Sequence, residues 1–265
     1  DKTYSYEEVF ALSDELFSSC ERGVVLLLCK KDFGTVVGYV GSLRHNLVPL
    51  LIDSEAREEA SARQIEMYRP RYIFAPAQSP CFSGYQLKAT FFSYVLLERS
   101  DGQNVRVAEK LCLLLPTSGS TGDPKCVRMS AKNISSCTKS VCNYLGMGMH
   151  RRSVSLLPFH YSYGLSVLHN TMHARGSIVL SQASVLKRDF WQLLEDHKVT
   201  DFSAVPFIFE TIKRMRFSDT LLDNFVCMTQ AGGRLDPKLT KHFFEICSAN
   251  NISYFTMYGQ TEACP

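Results

Sequence analysis

The chain has 265 residues, of which 45% are hydrophobic and 21% are charged, and its formal net charge is +3. This size and composition are typical of a soluble globular protein with one large α/β domain or two subdomains, and they exclude a chain that is disordered throughout. Lys and Arg are spread along the sequence instead of forming a dense basic stripe, which disfavours a nucleic acid as partner. Every apolar run is shorter than a membrane span, so we expect no transmembrane segment.

The ten cysteines form no C-x-x-C pair and no zinc-finger spacing with histidine. Several lie inside apolar runs, where cysteine behaves as a small buried hydrophobic residue. So many thiols in a chain of this length indicate a reducing compartment and not a disulfide scaffold. The first residues show no signal-peptide pattern, and we therefore expect a cytoplasmic protein.

The first half of the chain alternates predicted helices with predicted strands. Ser5-x-x-Glu8 is a capping-box pattern, which predicts a helix beginning near Tyr6. Beyond it, apolar residues at helical spacing predict helices, and short apolar runs rich in β-branched residues predict strands. In chain order we predict a strand at 24–29, a helix over 33–47, a strand at 48–53, a helix over 55–67, a strand at 72–75, an irregular stretch at 76–88, and strands at 91–98 and 111–115.

The second half continues the alternation. Ser130 can cap a helix, and Asp236 followed by Pro237 is a strong helix start. In chain order we predict a helix over 131–145, a strand at 154–157, a helix over 165–173, a strand at 177–180, a helix over 188–197, strands at 202–205 and 225–229, a helix from 237, and a strand at 252–257.

Short buried strands joined by helices predict an α/β fold with doubly wound, mostly parallel sheets. About eight such units are many for one open sheet, so we expect two packed subdomains, residues 1–150 and residues 151–265. In doubly wound sheets ligands bind outside the carboxyl ends of the strands. Loops that directly follow strands are therefore where we expect functional residues.

One such loop has the composition of a phosphate site. After the apolar run that ends at Leu115, the sequence P-T-S-G-S-T-G-D-P-K runs to Lys125. Its glycines let backbone N–H groups approach a ligand, its hydroxyls donate hydrogen bonds and its lysine supplies positive charge, which together suit a polyphosphate. The alternative is a surface turn that happens to be rich in Ser and Gly. The loop is not a Walker A motif, because neither its glycine spacing nor the Lys-Ser/Thr pair is present.

The segment Leu115–Val127 closely resembles the phosphate-loop motif of the adenylate-forming superfamily, which contains acyl-CoA synthetases, aryl-CoA ligases, luciferases and adenylation domains of nonribosomal peptide synthetases. Five further segments, in the order of the family's motifs, extend the resemblance over the whole chain. They are T-Y-S-Y-E-E at 3–8, L-R-H-N-L-V-P-L-L-I-D at 43–53, L-P-F-H-Y-S-Y-G-L at 157–165, A-G-G-R-L at 231–235 and Y-G-Q-T-E at 258–262.

The resemblance implies a nucleotide site. Lys125 and the loop before it would hold the β- and γ-phosphates of ATP. Tyr258 would pack on adenine, Thr261 would hydrogen-bond the α-phosphate, and Glu262 would hold Mg²⁺ between its carboxylate and the phosphates. The full nucleotide-binding set implied is Thr117, Ser118, Gly119, Ser120, Thr121, Gly122, Lys125, Gly232, Gly233, Tyr258, Gly259, Gln260 and Thr261.

Each of these residues also has an ordinary structural explanation. Tyr258 can be a core tyrosine at the end of a strand, and Glu262 a solvated carboxylate. Gly232 and Gly233, which would let backbone approach adenine or the acyl group, can form a plain turn.

His160, by resemblance, would lie near the substrate carboxylate and the acyl pocket. It can equally be a hydrogen-bonded core residue. His169 and His173 are four residues apart on a predicted helix, but no third metal ligand accompanies them, and we interpret them as structural.

The reaction implied is ATP-dependent activation of a carboxylic acid as its acyl-adenylate, with pyrophosphate released, followed by acyl transfer to the thiol of CoA or of a carrier-protein phosphopantetheine. Lys125, Thr261, Glu262 and His160 would be the catalytic residues. Amino-acid-activating members carry an Asp directly after the Phe of the substrate-side motif. Here His160 follows Phe159, which favours an acyl or aryl acid.

Two alternatives remain open at this point: an adenylation domain that loads a carrier protein, and a protein that binds nucleotide without catalysis. The family continues past its Y-G-x-T-E motif with a β-barrel part and a C-terminal domain. We expect this chain to stop before both, at Pro265, and therefore to bind nucleotide weakly and to be impaired as an enzyme by itself.

Overall fold

The computed structural model describes residues 2–103, 105–117, 125–215 and 223–263. The chain divides into two compact units, Asp1–Asn133 and Ile134–Pro265. This division lies at the start of the helix over 131–145, whereas the sequence-based boundary at residue 150 lies after it. No helix within the described ranges is both long and apolar enough to span a bilayer.

The first unit contains a mixed seven-stranded sheet in the order β4-β5-β3-β1-β2-β6-β7. The pairs β1–β2, β1–β3 and β2–β6 are parallel, and the remaining pairs are antiparallel. Its elements are α1 (Tyr6–Phe17), β1 (Val24–Cys29), α2 (Phe33–Arg44), β2 (Val48–Asp53), α3 (Glu58–Tyr68), β3 (Tyr72–Pro76), β4 (Tyr85–Phe91), β5 (Tyr94–Arg99), β6 (Leu113–Pro116) and β7 (Cys126–Met129).

The central strand β1 is buried on both faces, as its uninterrupted apolar sequence requires. On one face Gly38 of α2 packs so closely on Phe74 and Leu27 that a side chain would not fit. On the other face Leu26 belongs to an apolar cluster against which Tyr68 of α3 packs. Helices therefore cover both faces of this sheet, which is the doubly wound arrangement expected from the sequence.

The second unit contains a parallel five-stranded sheet in the order β12-β11-β10-β8-β9. Its elements are α4 (Ala131–Leu145), which begins at the boundary, β8 (Arg152–Val154), α5 (Ser162–His173), β9 (Ser177–Val179), α6 (Arg188–Asp196), β10 (Asp201–Ala204), α7 (Pro206–Arg214), β11 (Cys227–Gln230), α8 (Pro237–Ala249), β12 (Ser253–Thr256) and a 3₁₀ turn at Thr261–Ala263.

The two faces of this second sheet differ in polarity. One face packs in a large apolar cluster with α6, α7 and α8, in which Phe190, Phe209 and Phe243 are almost fully buried. The other face meets α5 through hydroxyl groups, because Tyr163 Oη lies 2.6 Å from Thr229 Oγ1, and Thr229 Oγ1 donates to Ser203 Oγ at 2.9 Å. Helix α5 is thus held on the sheet by specific polar contacts in addition to apolar burial.

Three predicted helix caps are confirmed. Ser5 Oγ accepts from the Glu8 N–H while Glu8 accepts from the Ser5 N–H, which completes the capping box of α1. Ser130 Oγ accepts from the N–H of Asn133 at 3.2 Å. Asp236 accepts from two N–H groups in the first turn of α8.

Several sequence-based predictions are wrong in their extent, and the helix predicted over 33–47, for example, ends at Arg44. The stretch 76–88 is not wholly irregular, since β4 begins at Tyr85. The predicted single strand 91–98 includes the turn of the β4–β5 hairpin at Phe92, whose φ is +50°. The strand predicted at 154–157 ends at Val154, so Leu156 and Leu157 belong to the following loop. Strand β7 and helix α7 lie where we predict no element.

Candidate active site

The predicted phosphate loop joins β6 to β7 in the first unit. The backbone N–H and the hydroxyl of Thr117 both donate to the Lys125 carbonyl oxygen, at 3.0 and 3.3 Å, so the two ends of the loop are held together. The side chain of Lys125 is exposed at this base. Five of the predicted phosphate ligands lie outside the described residues, namely Ser118, Gly119, Ser120, Thr121 and Gly122.

In the second unit the Gly-Gly segment follows β11 directly. Gly232 has a φ of +79°, and a Cβ at this position would overlap the Tyr161 hydroxyl and lie 3.1 Å from Val205 Cγ1. The carbonyl of Gly233 accepts from Gln230 Nε2 at 2.8 Å. A glycine is therefore required at 232 for both its backbone conformation and its lack of a side chain.

The loop between β8 and α5 carries the predicted substrate-side motif. Phe159 is 1% exposed and anchors the loop, whereas His160 is half-buried. The Tyr161 N–H donates to the Pro158 carbonyl at 3.2 Å, and helix α5 begins at the next residue. A side chain at Gly164 would overlap that same Pro158 carbonyl, so the first turn of α5 lies directly against the loop.

The Y-G-Q-T-E segment follows β12. The Met257 N–H donates to the Gln230 carbonyl at 2.7 Å and so continues the pairing of β12 with β11. Beyond it the backbone leaves the sheet, and the ring of Tyr258 is 91% exposed. Glu262 is also exposed, in a 3₁₀ turn in which the Ala263 N–H donates to the Gln260 carbonyl.

These three segments of the second unit meet in one small apolar cluster. It joins Leu157 and Tyr163 from the substrate-side motif to Ala231 from the Gly-Gly segment, and Val205 and Met257 pack against it. Because the sheet is parallel, its strands end and the following helices begin at this edge. Exposed backbone, helix N-termini, an exposed aromatic ring and a carboxylate are thus concentrated there, which suits an anionic ligand with an aromatic base.

A metal site made of protein ligands alone is not evident in the part of the chain that the structure describes, where His, Cys, Asp and Glu form no group of three that could hold an ion. Mg²⁺ does not need such a cage, because it commonly binds through one or two carboxylates together with substrate phosphates and water. The exposed Glu262 carboxylate fits that kind of coordination.

Comparison with known proteins shows to which family this chain belongs. The model of a family described as "AMP-binding enzyme" matches residues 1–265. The chain belongs to the AMP-binding enzyme family. Among solved structures, that of O-succinylbenzoate coenzyme A synthetase (MenE) from Bacillus subtilis in complex with AMP has a TM-score of 0.76, with 20% identity over 100% of this chain and 70% of that chain.

One further solved structure and one relative found by sequence are also similar to this chain. The same B. subtilis synthetase in complex with ATP and magnesium ion has a TM-score of 0.73, with 20% identity over 100% of this chain and 56% of that chain. A D-alanine–D-alanyl carrier protein ligase from Bacillus velezensis is 23% identical over 99% of this chain. This chain spans 54% of that ligase, about half of its length.

The structure brings some of the predicted site residues of this member of the AMP-binding enzyme family together. Gly232 and Gly233 lie at the same sheet edge as the loop of His160 and the strand end before Tyr258. Lys125 and Thr117 lie together at the base of the loop in the first unit. The nucleotide-binding and catalytic roles of all these residues stay predictions.

Sequence reasoning missed three residues that pack beside the predicted segments, two in the second unit and one in the first. Tyr161 limits the space at Gly232, Val205 forms the second wall there, and Tyr68 of α3 accepts a hydrogen bond from the Cys126 N–H at 3.0 Å. A signal was available for Val205, because Pro206 at the first position of α7 marks a helix start at the end of β10. Tyr161 and Tyr68 act through tertiary contacts that no local pattern shows.

Proposed function

We propose that the protein carrying this chain activates a carboxylic acid with ATP as an acyl-adenylate. The observation that carries the proposal is the convergence of three sequence segments at the carboxyl edge of the second sheet, where the exposed glycine at 232 lets the Gly-Gly segment lie directly against Tyr161 of the substrate-side loop. Membership of the AMP-binding enzyme family supports it.

In this reaction one carboxylate oxygen attacks the α-phosphorus of ATP, the bond from that phosphorus to the bridging oxygen breaks, and pyrophosphate leaves. Such a transfer depends mainly on positioning and on neutralising charge. We assign charge neutralisation on the leaving phosphates to Lys125, hydrogen bonding of the α-phosphate to Thr261, and stacking on adenine to the exposed ring of Tyr258. Glu262 would hold Mg²⁺, which supplies further positive charge to the phosphates when bound.

For the acid we propose an acyl or aryl carboxylate. His160 follows Phe159 at the place where members that activate amino acids carry an acidic side chain. An imidazole can donate a hydrogen bond to a substrate carboxylate, but it lacks the negative charge with which an Asp would hold an ammonium group.

For the second step we propose acyl transfer to the thiol of CoA. A second candidate acceptor is the phosphopantetheine of a carrier protein, which the similarity to a D-alanyl carrier protein ligase over 99% of this chain favours. Binding of nucleotide without catalysis is the remaining alternative. The ten cysteines support a reducing compartment, and we propose the cytoplasm.

The test is carboxylate-dependent exchange between ATP and labelled pyrophosphate, measured with Mg²⁺ on the protein in its full natural length. A panel of fatty, aryl and amino acids is run for the wild type and for Lys125→Ala. We expect exchange with one class of acyl or aryl acid and a loss of about 100-fold in the variant. Nucleotide binding without exchange for any acid would favour the non-catalytic alternative.

A further inference from the structure

The peptide bond between Lys125 and Cys126 is held from both sides. Its carbonyl oxygen accepts from the backbone N–H and the hydroxyl of Thr117, at 3.0 and 3.3 Å. Its N–H donates to the hydroxyl oxygen of Tyr68 at 3.0 Å. Thr117, which follows β6, and Tyr68 of α3 thus hold the same peptide group, next to the Cα atom that carries the Lys125 side chain.

The contact with Tyr68 gives a hydrogen-bond acceptor to the Cys126 N–H, which has no acceptor within the sheet. β7 is an edge strand, and in its register with β6 the Cys126 N–H points away from the partner strand. An N–H on an edge strand normally donates to water. Because the Cys126 N–H donates to a protein hydroxyl instead, the backbone position of the residue that follows Lys125 is restricted.

Tyr68 is itself well fixed. It is the last residue of α3, which ends at a left-handed Arg69, and its ring packs on the core cluster that contains residues of β1 and β2. Burial raises the pKa of the Tyr68 phenol to about 12, so it stays neutral over the working pH range. The end of α3 and the packing of the Tyr68 ring on the core therefore set the position of its hydroxyl oxygen.

We propose that Tyr68 is a positioning residue for Lys125, holding the lysine stem in the orientation needed for the polyphosphate. The proposal rests on the proposed function, because it assumes that Lys125 contacts the leaving phosphates. Tyr68 does not touch the nucleotide in this account and acts only through the Lys125–Cys126 peptide.

The experiment compares Tyr68→Phe with Tyr85→Phe in the exchange assay, using the protein in its full natural length. Tyr85 is a matched control, because its ring packs on the same core cluster and its hydroxyl donates to a backbone carbonyl, that of Pro70, at 2.7 Å. Each variant is also made in a Lys125→Ala background, and the KM for ATP and the kcat are measured with the thermal midpoint.

We expect Tyr68→Phe to lower kcat/KM for ATP by about 3- to 10-fold, which is the effect of one hydrogen bond. Tyr85→Phe should shift the thermal midpoint by a similar amount but leave kcat/KM for ATP near the wild-type value. In the Lys125→Ala background Tyr68→Phe should have almost no further effect, because the residue through which it acts is gone.

Two outcomes would overturn the inference without touching the proposed function: equal losses for Tyr68→Phe and Tyr85→Phe, or the same loss from Tyr68→Phe in both backgrounds. An exchange rate unchanged by Lys125→Ala alone would instead contradict the proposed role of the loop and, with it, the inference.

Discussion

The hydroxyl of Tyr161 occupies the space that a side chain on Gly232 would need. Tyr161 precedes α5, and Gly232 follows β11, so this contact joins the substrate-side loop to the Gly-Gly segment at the carboxyl edge of the second sheet. Two residues that are remote in sequence therefore fix how closely these two segments approach each other.

Gly232→Ala should destabilise the protein and reduce exchange. The alanine is strained at a positive φ, and its Cβ overlaps Tyr161. The overlap should lower the free energy of unfolding by about 1–3 kcal/mol beyond the effect of the positive φ. Gly84→Ala is the matched control, because Gly84 has a φ of +81° with nothing within 4 Å of its would-be Cβ. Chemical denaturation measures the difference between the two variants.

Tyr161→Phe should partly rescue Gly232→Ala, because it removes the overlapping oxygen and leaves the ring carbon 3.5 Å from the new Cβ. The double variant should be more stable than the sum of the single changes predicts. Strictly additive losses would show that the overlap is relieved in some other way.

The buried ion pair of Arg151 and Asp201 ties the start of β10 to the end of α4. The guanidinium Nε donates to Asp201 Oδ2 at 2.8 Å, a second donor contacts Oδ1, and the other guanidinium nitrogen reaches the carbonyls of Leu145 and Gly146 at 3.2 Å. Asp201→Ala should cost about 3–5 kcal/mol of unfolding free energy, because it leaves a buried charge without its partner.

The control for that change is Glu245→Ala, which removes an exposed ion pair with Lys241 at 3.8 Å on α8. We expect almost no change in unfolding free energy, since exposed pairs are screened by solvent. Similar losses for Asp201→Ala and Glu245→Ala would contradict the assigned importance of the buried pair.

His169 should make stability depend on pH. Burial lowers the pKa of this imidazole from 6.5 to about 4. The unfolded chain therefore binds more protons between these values, so stability is complete above about pH 6.5 and falls as the pH drops towards 4, by on the order of 3 kcal/mol.

His169→Gln should remove this part of the pH slope in denaturation experiments from pH 7 to pH 4. His173→Gln, on the same helix but exposed, should keep the wild-type slope. A wild-type slope in His169→Gln would mean that other groups carry the dependence.

The sequence predicts most of this fold because its local signals agree with its tertiary structure. The bounds predicted for β1, β2 and α4 match those observed, since continuous apolar runs and a capping serine define them. The β4–β5 hairpin was not predicted, because it turns at Phe92 with a positive φ and without the Gly or Asn that usually marks such a turn.

The candidate site is predicted less completely for a physical reason. Its motif segments are contiguous in sequence and can be compared with a family one at a time. The close approach of Tyr161 to Gly232 and the Tyr68–Cys126 hydrogen bond join residues far apart in the chain and arise only when the elements pack. Such contacts determine how well the motifs are positioned, but no local pattern encodes them.

The most direct test of acyl-adenylate formation follows an oxygen atom of the substrate carboxylate into the products. A carboxylic acid of the class that supports exchange is labelled with ¹⁸O in its carboxylate and turned over with ATP, Mg²⁺ and a thiol acceptor by the protein in its full natural length. If the carboxylate attacks the α-phosphorus, thiol attack then cleaves the acyl C–O bond, and mass spectrometry should find one ¹⁸O in AMP. Label in orthophosphate, with ADP as the other product, would contradict the account.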